Sequence, residues 1–259
     1  MAQLWTEKRV VVSPDAAALA ADVAQRLIDR LLKRSAAGKT SHVALTGGGI
    51  AGDVLRAAGR HPQRSDVDWS SVHLWWGDEK YLPAGDEERN DVWARRSFID
   101  HIDIPAANVH AMSTVEETGD LESAADAYAA ELARFGTDDR PWPEFYLCFL
   151  GAGTDGHIAG LFPDRPEIQA TDRAVVAVHN APKPPPERLS LTRPVINSSR
   201  CVWLVLSGVD KAAALGLALA GASYESVPAA GAKGRKRTLF FVDGDAAANV
   251  PAELIDQEF

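Results

Sequence analysis

The chain has few cysteines and no long uncharged apolar run, which argues against a disulfide-rich protein and against a membrane-spanning one. Its 259 residues include two cysteines, Cys148 and Cys201, and both lie in apolar runs. Two cysteines exclude a disulfide framework, so we expect buried, unreactive thiols. No stretch approaches the ~18 uncharged apolar residues of a membrane span, and the N-terminus lacks the apolar core of a signal peptide. We therefore predict a cytoplasmic protein that does not contact membranes.

Basic residues are also fewer than acidic residues. Lys and Arg total 27 against 36 Asp and Glu, a net charge of −9, which disfavours a broad basic face for nucleic acid. We interpret the short basic run Lys233–Arg237 as a solvated loop and consider only Arg235 as a substrate contact. No H-E-x-x-H motif, close Cys/His pairing or G-x-S-x-G elbow occurs. The sequence therefore predicts no metal site and no serine nucleophile.

Strand-like and helix-like segments alternate along the chain. Continuously apolar runs, typical of buried parallel strands, occur at Arg9–Val12, His42–Thr46, Val72–Gly77, Phe145–Leu150, Arg173–Val178, Cys201–Leu206 and Thr238–Val242. Helical patterns run from Asp15, an acidic residue of the first turn, to about Lys33, and over about Ile50–Ala58, Arg89–His101, Leu121–Phe135 and Val209–Ala220. This order predicts a single domain over residues 1–259 with a doubly wound α/β fold, a mainly parallel sheet flanked by helices. The Pro-rich segment Asn180–Glu187 predicts a rigid extended stretch.

Two glycine-rich loops follow predicted strands, at Gly47–Gly52 and Gly151–Gly156. Both fit the dinucleotide pattern G-x-G-x-x-G, but after the first the next strand ends at Asp78, about ten residues later than the pattern requires, which disfavours nicotinamide binding. Backbone N–H groups before a helix N-terminus instead suit a phosphate monoester, and Thr46 adds a hydroxyl. The alternative is a tight strand-to-helix turn.

Ionisable residues also follow two of the predicted strands, at the end where ligand sites lie in α/β sheets. The first set comes after the strand that ends near Gly77 and comprises Asp78, Glu79 and Lys80, with Arg89 and Asn90 at the start of the next helix. A solvated loop is the alternative interpretation of this set. The second set, Asp155 and His157, follows Gly151 and Gly153. A histidine at such a strand exit is well placed for proton transfer near neutral pH.

Five segments, in order over about 200 residues, together resemble the 6-phosphogluconolactonases in their actinobacterial form. They are LTGGG; WWGDEKYLP with ERND downstream; LGAGTDGHIAGLFP; KPPPERLSLT; and SGVDKAAAL with VPAAGAKGRKRTLFFVDGDAA. The resemblance implies a Rossmann-like fold of the sugar-phosphate isomerase/deaminase type. It also implies hydrolysis of 6-phospho-D-glucono-1,5-lactone to 6-phospho-D-gluconate, the second step of the oxidative pentose phosphate pathway. The sequence departs from the family pattern at two positions. The family has arginine at the position of Lys80 and serine at the position of Gly160.

The resemblance implies roles for individual residues. His157 would take a proton from the attacking water, and Asp155 would orient the imidazole or bind a sugar hydroxyl. The N–H groups of the glycine loops, with Gly151 and Gly153 among them, are candidate donors to the oxyanion. The phosphate ligands implied are Thr46, Gly47, Gly48, Gly49, Arg188 and Lys211, with Lys183 nearby. The sugar-pocket residues implied are Asp78, Glu79, Lys80, Arg89 and Asn90. No cofactor is expected, the partner is a small sugar-phosphate lactone, and the chain is expected to be a monomer or weak homodimer.

Two alternative functions remain open. Glucosamine-6-phosphate deaminases share the phosphate loop, the D-E motif and D-G-H, but carry a catalytic glutamate five residues after the histidine. This chain has Phe162 there, which cannot move a proton, and KPPPER also favours the lactonase. The other alternative is a non-catalytic sugar-phosphate-binding protein, which the presence of both Asp155 and His157 disfavours.

Overall fold

A computed structural model of the chain describes residues 8–256, so residues 1–7 and 257–259 of the predicted domain lie outside the described part. The described strands are β1 Lys8–Ser13, β2 Ser41–Leu45, β3 Val72–Trp76, β4 Asp78–Lys80, β5 Val109–His110, β6 Phe145–Leu150, β7 Val175–Val178, β8 Arg188–Leu191, β9 Cys201–Leu206 and β10 Arg237–Asp243. The described helices are α1 Ala16–Ser35, α2 Gly49–Arg60, α3 Asn90–Ser97, α4 Val115–Thr118, α5 Leu121–Ala133, α6 Arg193–Ser198 and α7 Ala212–Leu219.

The main sheet has seven strands in the order β1-β10-β9-β6-β2-β3-β5, and every pairing in it is parallel. All six residues of β9 are buried, as expected for a strand that is covered on both faces. Helices flank the sheet, and α1 packs against β1 and β10. The predicted doubly wound, mainly parallel α/β fold is confirmed.

One predicted strand of the parallel sheet belongs elsewhere. The run Arg173–Val178 becomes a strand only from Val175, and that strand, β7, pairs antiparallel with β8 in a second sheet of order β4-β8-β7. Its apolar sequence identifies a buried strand but not its partner. Only a short loop joins β7 to β8, and a parallel pair needs a longer crossover connection.

The helices follow their predicted positions with shifts at their ends. Asp15 lies one residue outside α1, where its side chain accepts a hydrogen bond from the N–H of Ala18 at 2.8 Å, so it is a cap rather than a first-turn residue. The predicted helix Arg89–His101 is divided into α3 and a 3₁₀ turn at Ile99–His101. Likewise, a 3₁₀ turn at Val209–Lys211 precedes α7.

The Pro-rich segment Asn180–Glu187 is not extended, so that prediction was wrong. The N–H of Ala181 donates to the carbonyl of Pro186 at 2.8 Å, which closes the segment into a loop. The Arg188 guanidinium donates to the carbonyls of Lys183 at 3.2 Å and Pro184 at 3.1 Å. A polyproline helix has no internal hydrogen bonds. The guanidinium supplies donors that the prolines lack, and so stabilises the folded loop.

Candidate active site

A cavity of about 530 Å³ lies over the carboxyl ends of β2, β3, β6 and β9. Of the site residues that the resemblance implies, its lining contains all but three, namely Thr46, Gly47, Gly48, Gly49, Asp78, Lys80, Asn90, Gly151, Gly153, His157, Lys183, Arg188 and Lys211. The three that do not line it are Asp155, Glu79 and Arg89. The lining also includes Asp53, Ser207 and Asp210, which were not predicted from the sequence. Their position in the sequence would have identified them, because each lies near the start of a helix that follows a strand of the main sheet.

The loop between β2 and α2 requires glycine for two reasons. A Cβ atom at Gly47 would lie 1.9 Å from Oδ1 of Asn90, so only glycine allows the Asn90 amide to lie against the loop. Gly48 has a φ of 102°, a backbone conformation that other residues rarely adopt. The Asn90 amide also donates to the carbonyl of Asp78 at 2.9 Å. The absence of a side chain at Gly47 thus lets the Asn90 amide pack against the glycine loop, which brings that loop into contact with the start of α3.

His157 and Asp155 form a hydrogen-bonded pair at the cavity. The Nδ1 atom of His157 lies 2.6 Å from Oδ1 of Asp155, which assigns the proton of the neutral ring to Nδ1. Burial lowers the pKa of His157, although the neighbouring Asp155 carboxylate acts to raise it. Burial acts to raise the pKa of Asp155, but the His157 ring outweighs it, and the net shift is downward. At neutral pH the pair is therefore a neutral imidazole beside an ionised carboxylate, which suits proton acceptance from water.

Asp78 lies among cations beside this pair. Burial raises the pKa of Asp78, while Arg188 first, and then His157 and Lys80, act to lower it. The Arg188 side chain is itself held by the carbonyls of the loop before β8 and lies 5.8 Å from the Phe162 ring. Asp78 and Arg188 thus give one wall of the cavity both acceptor and donor groups.

Glu79 and Arg89 differ from the expected substrate contacts, because both are buried beneath the site. The Glu79 carboxylate, with 0% exposure, accepts from the N–H groups of Lys80, Asn90 and Asp91, each at 2.8 Å. Arg89, with 1% exposure, donates to Asp91 at 2.8 Å and to the carbonyl of Met112 at 2.7 Å, and borders a second cavity of about 390 Å³. Successive residues of a strand point to opposite faces, so Asp78 and Lys80 face the cavity while Glu79 faces away.

The other candidate cations fall into two groups. Lys80 donates to the carbonyl of Glu88, and Lys211 lies 3.4 Å from Asp210, and both lysines line the cavity. Arg235 does not line the cavity: its side chain pairs with Glu144 and its N–H donates to Ser199, before the start of β9. Arg235 therefore lies at the end of the sheet opposite to the cavity.

Gly160 is buried against the second sheet rather than at the cavity. Its N–H donates to Oγ of Ser190 at 3.0 Å, and a Cβ atom there would lie 2.8 Å from Cβ of Ser190. The departure from the family's serine therefore removes no group from the cavity lining.

Among residues 8–256, no group of three or more His, Cys, Asp or Glu side chains is arranged to hold a metal ion. No helix within the described part of the chain is both long and apolar enough to cross a membrane.

Comparison with known proteins gives relatives over nearly the whole chain. The model of a family described as glucosamine-6-phosphate isomerases/6-phosphogluconolactonase matches residues 14–241. The 6-phosphogluconolactonase of Streptomyces coelicolor is 42% identical over 250 residues, covering 95% of this chain and 96% of its own. That of Mycobacterium tuberculosis is 44% identical over 245 residues, covering 94% and 98%.

Two solved structures share the fold at lower identity. The 6-phosphogluconolactonase of Thermotoga maritima is 24% identical with a TM-score of 0.78, covering 92% of this chain and all (100%) of its own. A monomeric glucosamine-6-phosphate deaminase is 20% identical with a TM-score of 0.76, covering 93% and 99%. Because both activities occur on this fold, the structural likeness alone does not choose between them.

Proposed function

Since the chain belongs to the glucosamine-6-phosphate isomerase/6-phosphogluconolactonase family, we propose that it hydrolyses 6-phospho-D-glucono-1,5-lactone to 6-phospho-D-gluconate. The resemblance predicted from the motifs is confirmed by the family match and by relatives of that name. The observation that carries the proposal within this molecule is the His157–Asp155 pair at the wall of a cavity lined with cations and glycine N–H groups.

Water is the nucleophile in the proposed reaction. Its oxygen attacks the C1 carbonyl while Nε2 of His157 takes its proton, because Nδ1 is occupied by Asp155. The carbonyl π electrons move onto oxygen, and the N–H groups of the loop at Gly151 and Gly153 are our candidates to stabilise that oxyanion. Collapse then breaks the bond from C1 to the ring oxygen, which receives the proton from His157. In this mechanism Asp155 orients the ring rather than binding a sugar hydroxyl.

The phosphate is assigned to the glycine loop between β2 and α2 and to three cations of the cavity lining. The loop of Thr46, Gly47, Gly48 and Gly49 leads into α2, and backbone N–H groups before a helix bind anions well. Arg188, Lys183 and Lys211 line the same cavity and add positive charge. Asp78, Lys80 and Asn90 remain for the sugar hydroxyls. Glu79 is buried and holds the backbone of Lys80 and Asn90, and Arg89 is buried beside it, so neither is assigned a contact with substrate.

The residue at position 162 argues against deaminase activity. Phe162 is 1% exposed, and its ring lies 4.6 Å from that of His157 where the deaminases have a catalytic glutamate. A hydrocarbon ring at that place packs against the imidazole but cannot exchange a proton.

Lactone loss measured beside ammonia release tests the proposal. Purified protein is expected to accelerate loss of the phosphorylated lactone over its spontaneous hydrolysis, and to release no ammonia from glucosamine 6-phosphate. His157→Gln, purified identically, is the matched control and is expected to lose about 10²–10⁴-fold in kcat. Catalytic ammonia release, or no lactone hydrolysis by the folded wild type, would overturn the proposal. Cytoplasmic location, the single domain and a monomer or weak homodimer remain predictions.

A further inference from the structure

A buried carboxylate at the end of β10 has no part in the chemistry above. Asp243 is 4% exposed and accepts hydrogen bonds from Oγ of Ser207 at 2.5 Å, from the N–H of Gly208 at 3.1 Å and from the N–H of Ala246 at 2.9 Å. Burial acts to raise the pKa of Asp243, but these donors outweigh it and lower the pKa. Asp243 is thus an ionised group that ties the exit of β9 to the exit of β10.

The turn that Asp243 holds leads directly into the cavity wall. Ser207 and Gly208 follow β9, and Gly208 has a φ of 97°, a backbone conformation that favours glycine, just before the 3₁₀ turn Val209–Lys211. The N–H of Lys211 then donates to the carbonyl of Gly208 at 3.1 Å. Ser207, Asp210 and Lys211 all line the cavity. The position of the Lys211 backbone therefore depends on the turn that Asp243 anchors.

Lys211 needs such an anchor because it has a competing partner. Its Nζ atom lies 3.4 Å from Oδ2 of Asp210, whose side chain is 59% exposed. A lysine is a flexible point charge, so its backbone position largely decides which anion it meets. If the turn loosened, Lys211 and Asp210 would move together as a pair, and Lys211 would lose its place at the cavity.

We propose that Asp243 is a positioning residue for the substrate's anionic end: it fixes the Ser207–Gly208 turn and thereby keeps Lys211 in the cavity. This inference rests on the proposed function, in which Lys211 binds the phosphate of the lactone. Asp243 itself touches neither substrate nor reacting atoms, and it acts through the turn.

A double-mutant cycle tests this role. Steady-state kinetics are measured for the wild type, Asp243→Asn, Lys211→Ala and the double variant, each with the phosphorylated lactone and with unphosphorylated glucono-1,5-lactone. Asp243→Asn is expected to raise KM for the phosphorylated lactone about tenfold with little change in kcat. The kcat/KM for the unphosphorylated lactone is expected to stay near wild type. In the Lys211→Ala background, Asp243→Asn is expected to add no further loss.

A control carboxylate with the same types of hydrogen-bond donor is exposed and does not line the cavity. Asp120 caps α5 and, like Asp243, accepts from a serine hydroxyl and a backbone N–H, here those of Ser123 at 2.6 and 2.8 Å. Asp120→Asn is expected to leave KM for both lactones unchanged. Should Asp243→Asn not yield folded protein, Ser207→Ala removes the shortest of the Asp243 bonds and replaces it in the cycle.

The outcomes separate this inference from the proposed function. Additive losses in the double variant, or equal losses with both lactones, would overturn the positioning role and leave Asp243 a structural residue. An unchanged KM in folded Asp243→Asn would overturn it as well. Failure of the wild type to hydrolyse the phosphorylated lactone would instead overturn the proposed function.

Discussion

Gly153 leaves no room for a methyl group beside His157. A Cβ atom at residue 153 would lie 2.1 Å from Nδ1 of His157 and 2.3 Å from Oδ1 of Asp155, the two atoms of their hydrogen bond. The glycine is therefore required by the pair itself, in addition to any contact that its N–H makes with substrate. A side chain here must displace the imidazole.

Gly153→Ala is expected to lower kcat by about 10²-fold, since a shift of about 1 Å in a catalytic group costs that much. KM is expected to change less, because the anion-binding groups lie elsewhere in the cavity. Gly216→Ala is the matched control: it adds the same methyl group where nothing lies within 4 Å. Steady-state kinetics of the two variants measure the difference, and near-wild-type kcat for Gly153→Ala would contradict the role of the pair.

The pH profile of kcat provides a second prediction. A general base must be neutral, and because burial lowers the pKa of His157, we expect kcat to hold through pH 6.5 and to fall only at lower pH. Asp155 acts to raise that pKa, so Asp155→Asn is expected to move the acidic limb lower still, besides reducing kcat. Measurements at saturating lactone report the bound enzyme. A limb that stays in place in His157→Gln would assign the titration to another group.

Most of the cavity wall could be predicted because parallel strands end at one edge of a sheet. Each apolar strand followed by glycine or polar residues therefore contributes to one site, which is why Thr46, His157 and Lys211, far apart in sequence, line one cavity. Thr46 and His157 needed only the strand positions, which apolar runs indicate well, whereas Lys211 was implied by the resemblance of SGVDKAAAL to the family's C-terminal pattern.

Glu79 and Asp243 could not be assigned in this way, for two physical reasons. Glu79 lies in a strand of three residues that forms only by pairing with β8, so its face depends on a partner remote in sequence. Asp243 faces a turn rather than the cavity, and nothing in its own segment indicates the Ser207 contact. The loop before Arg188 was misjudged because its prolines indicate extended chain, whereas a guanidinium folds it.

Restoring the family's serine at residue 160 provides a third prediction. Gly160→Ser is expected to lower the free energy of unfolding by about 1–3 kcal/mol, because its Cβ would lie 2.8 Å from Cβ of Ser190. Activity of the folded fraction is expected to stay near wild type. Ser190→Gly removes the obstructing atom, so in that background Gly160→Ser should cost less, as urea unfolding of all four proteins would measure. Equal costs in both backgrounds would exclude the proposed clash.

The fourth prediction concerns stability in acid and rests on a histidine cluster at the other end of the sheet. The ring of His73 stacks on that of His42 at 4.7 Å, and its Nδ1 lies 3.0 Å from Nε2 of His110. Nδ1 of His42 accepts from the indole of Trp75 at 3.1 Å, and His110 contacts Glu131 at 2.9 Å. These contacts suit neutral rings.

Burial first, and then the neighbouring rings and Arg34, lower the pKa of His42 to about 3. Burial also lowers the pKa of His73 and of His110, with Glu131 opposing the shift at His110. Below about pH 6.5 these histidines therefore bind protons in the unfolded chain but stay neutral in the folded chain. The free energy of unfolding is expected to fall as pH drops from there toward 3, by up to about 1.4 kcal/mol per pH unit for each proton.

His42→Gln isolates this effect, because its amide oxygen can still accept from Trp75 while the titratable ring is gone. Urea unfolding at pH 7.5 and at pH 5 is expected to show a smaller loss of stability for His42→Gln than for the wild type. His101→Gln, which removes an imidazole from the surface, is the matched control and is expected to keep more of the wild-type loss. Equal losses in the wild type and His42→Gln would mean that acid acts on the fold through other groups.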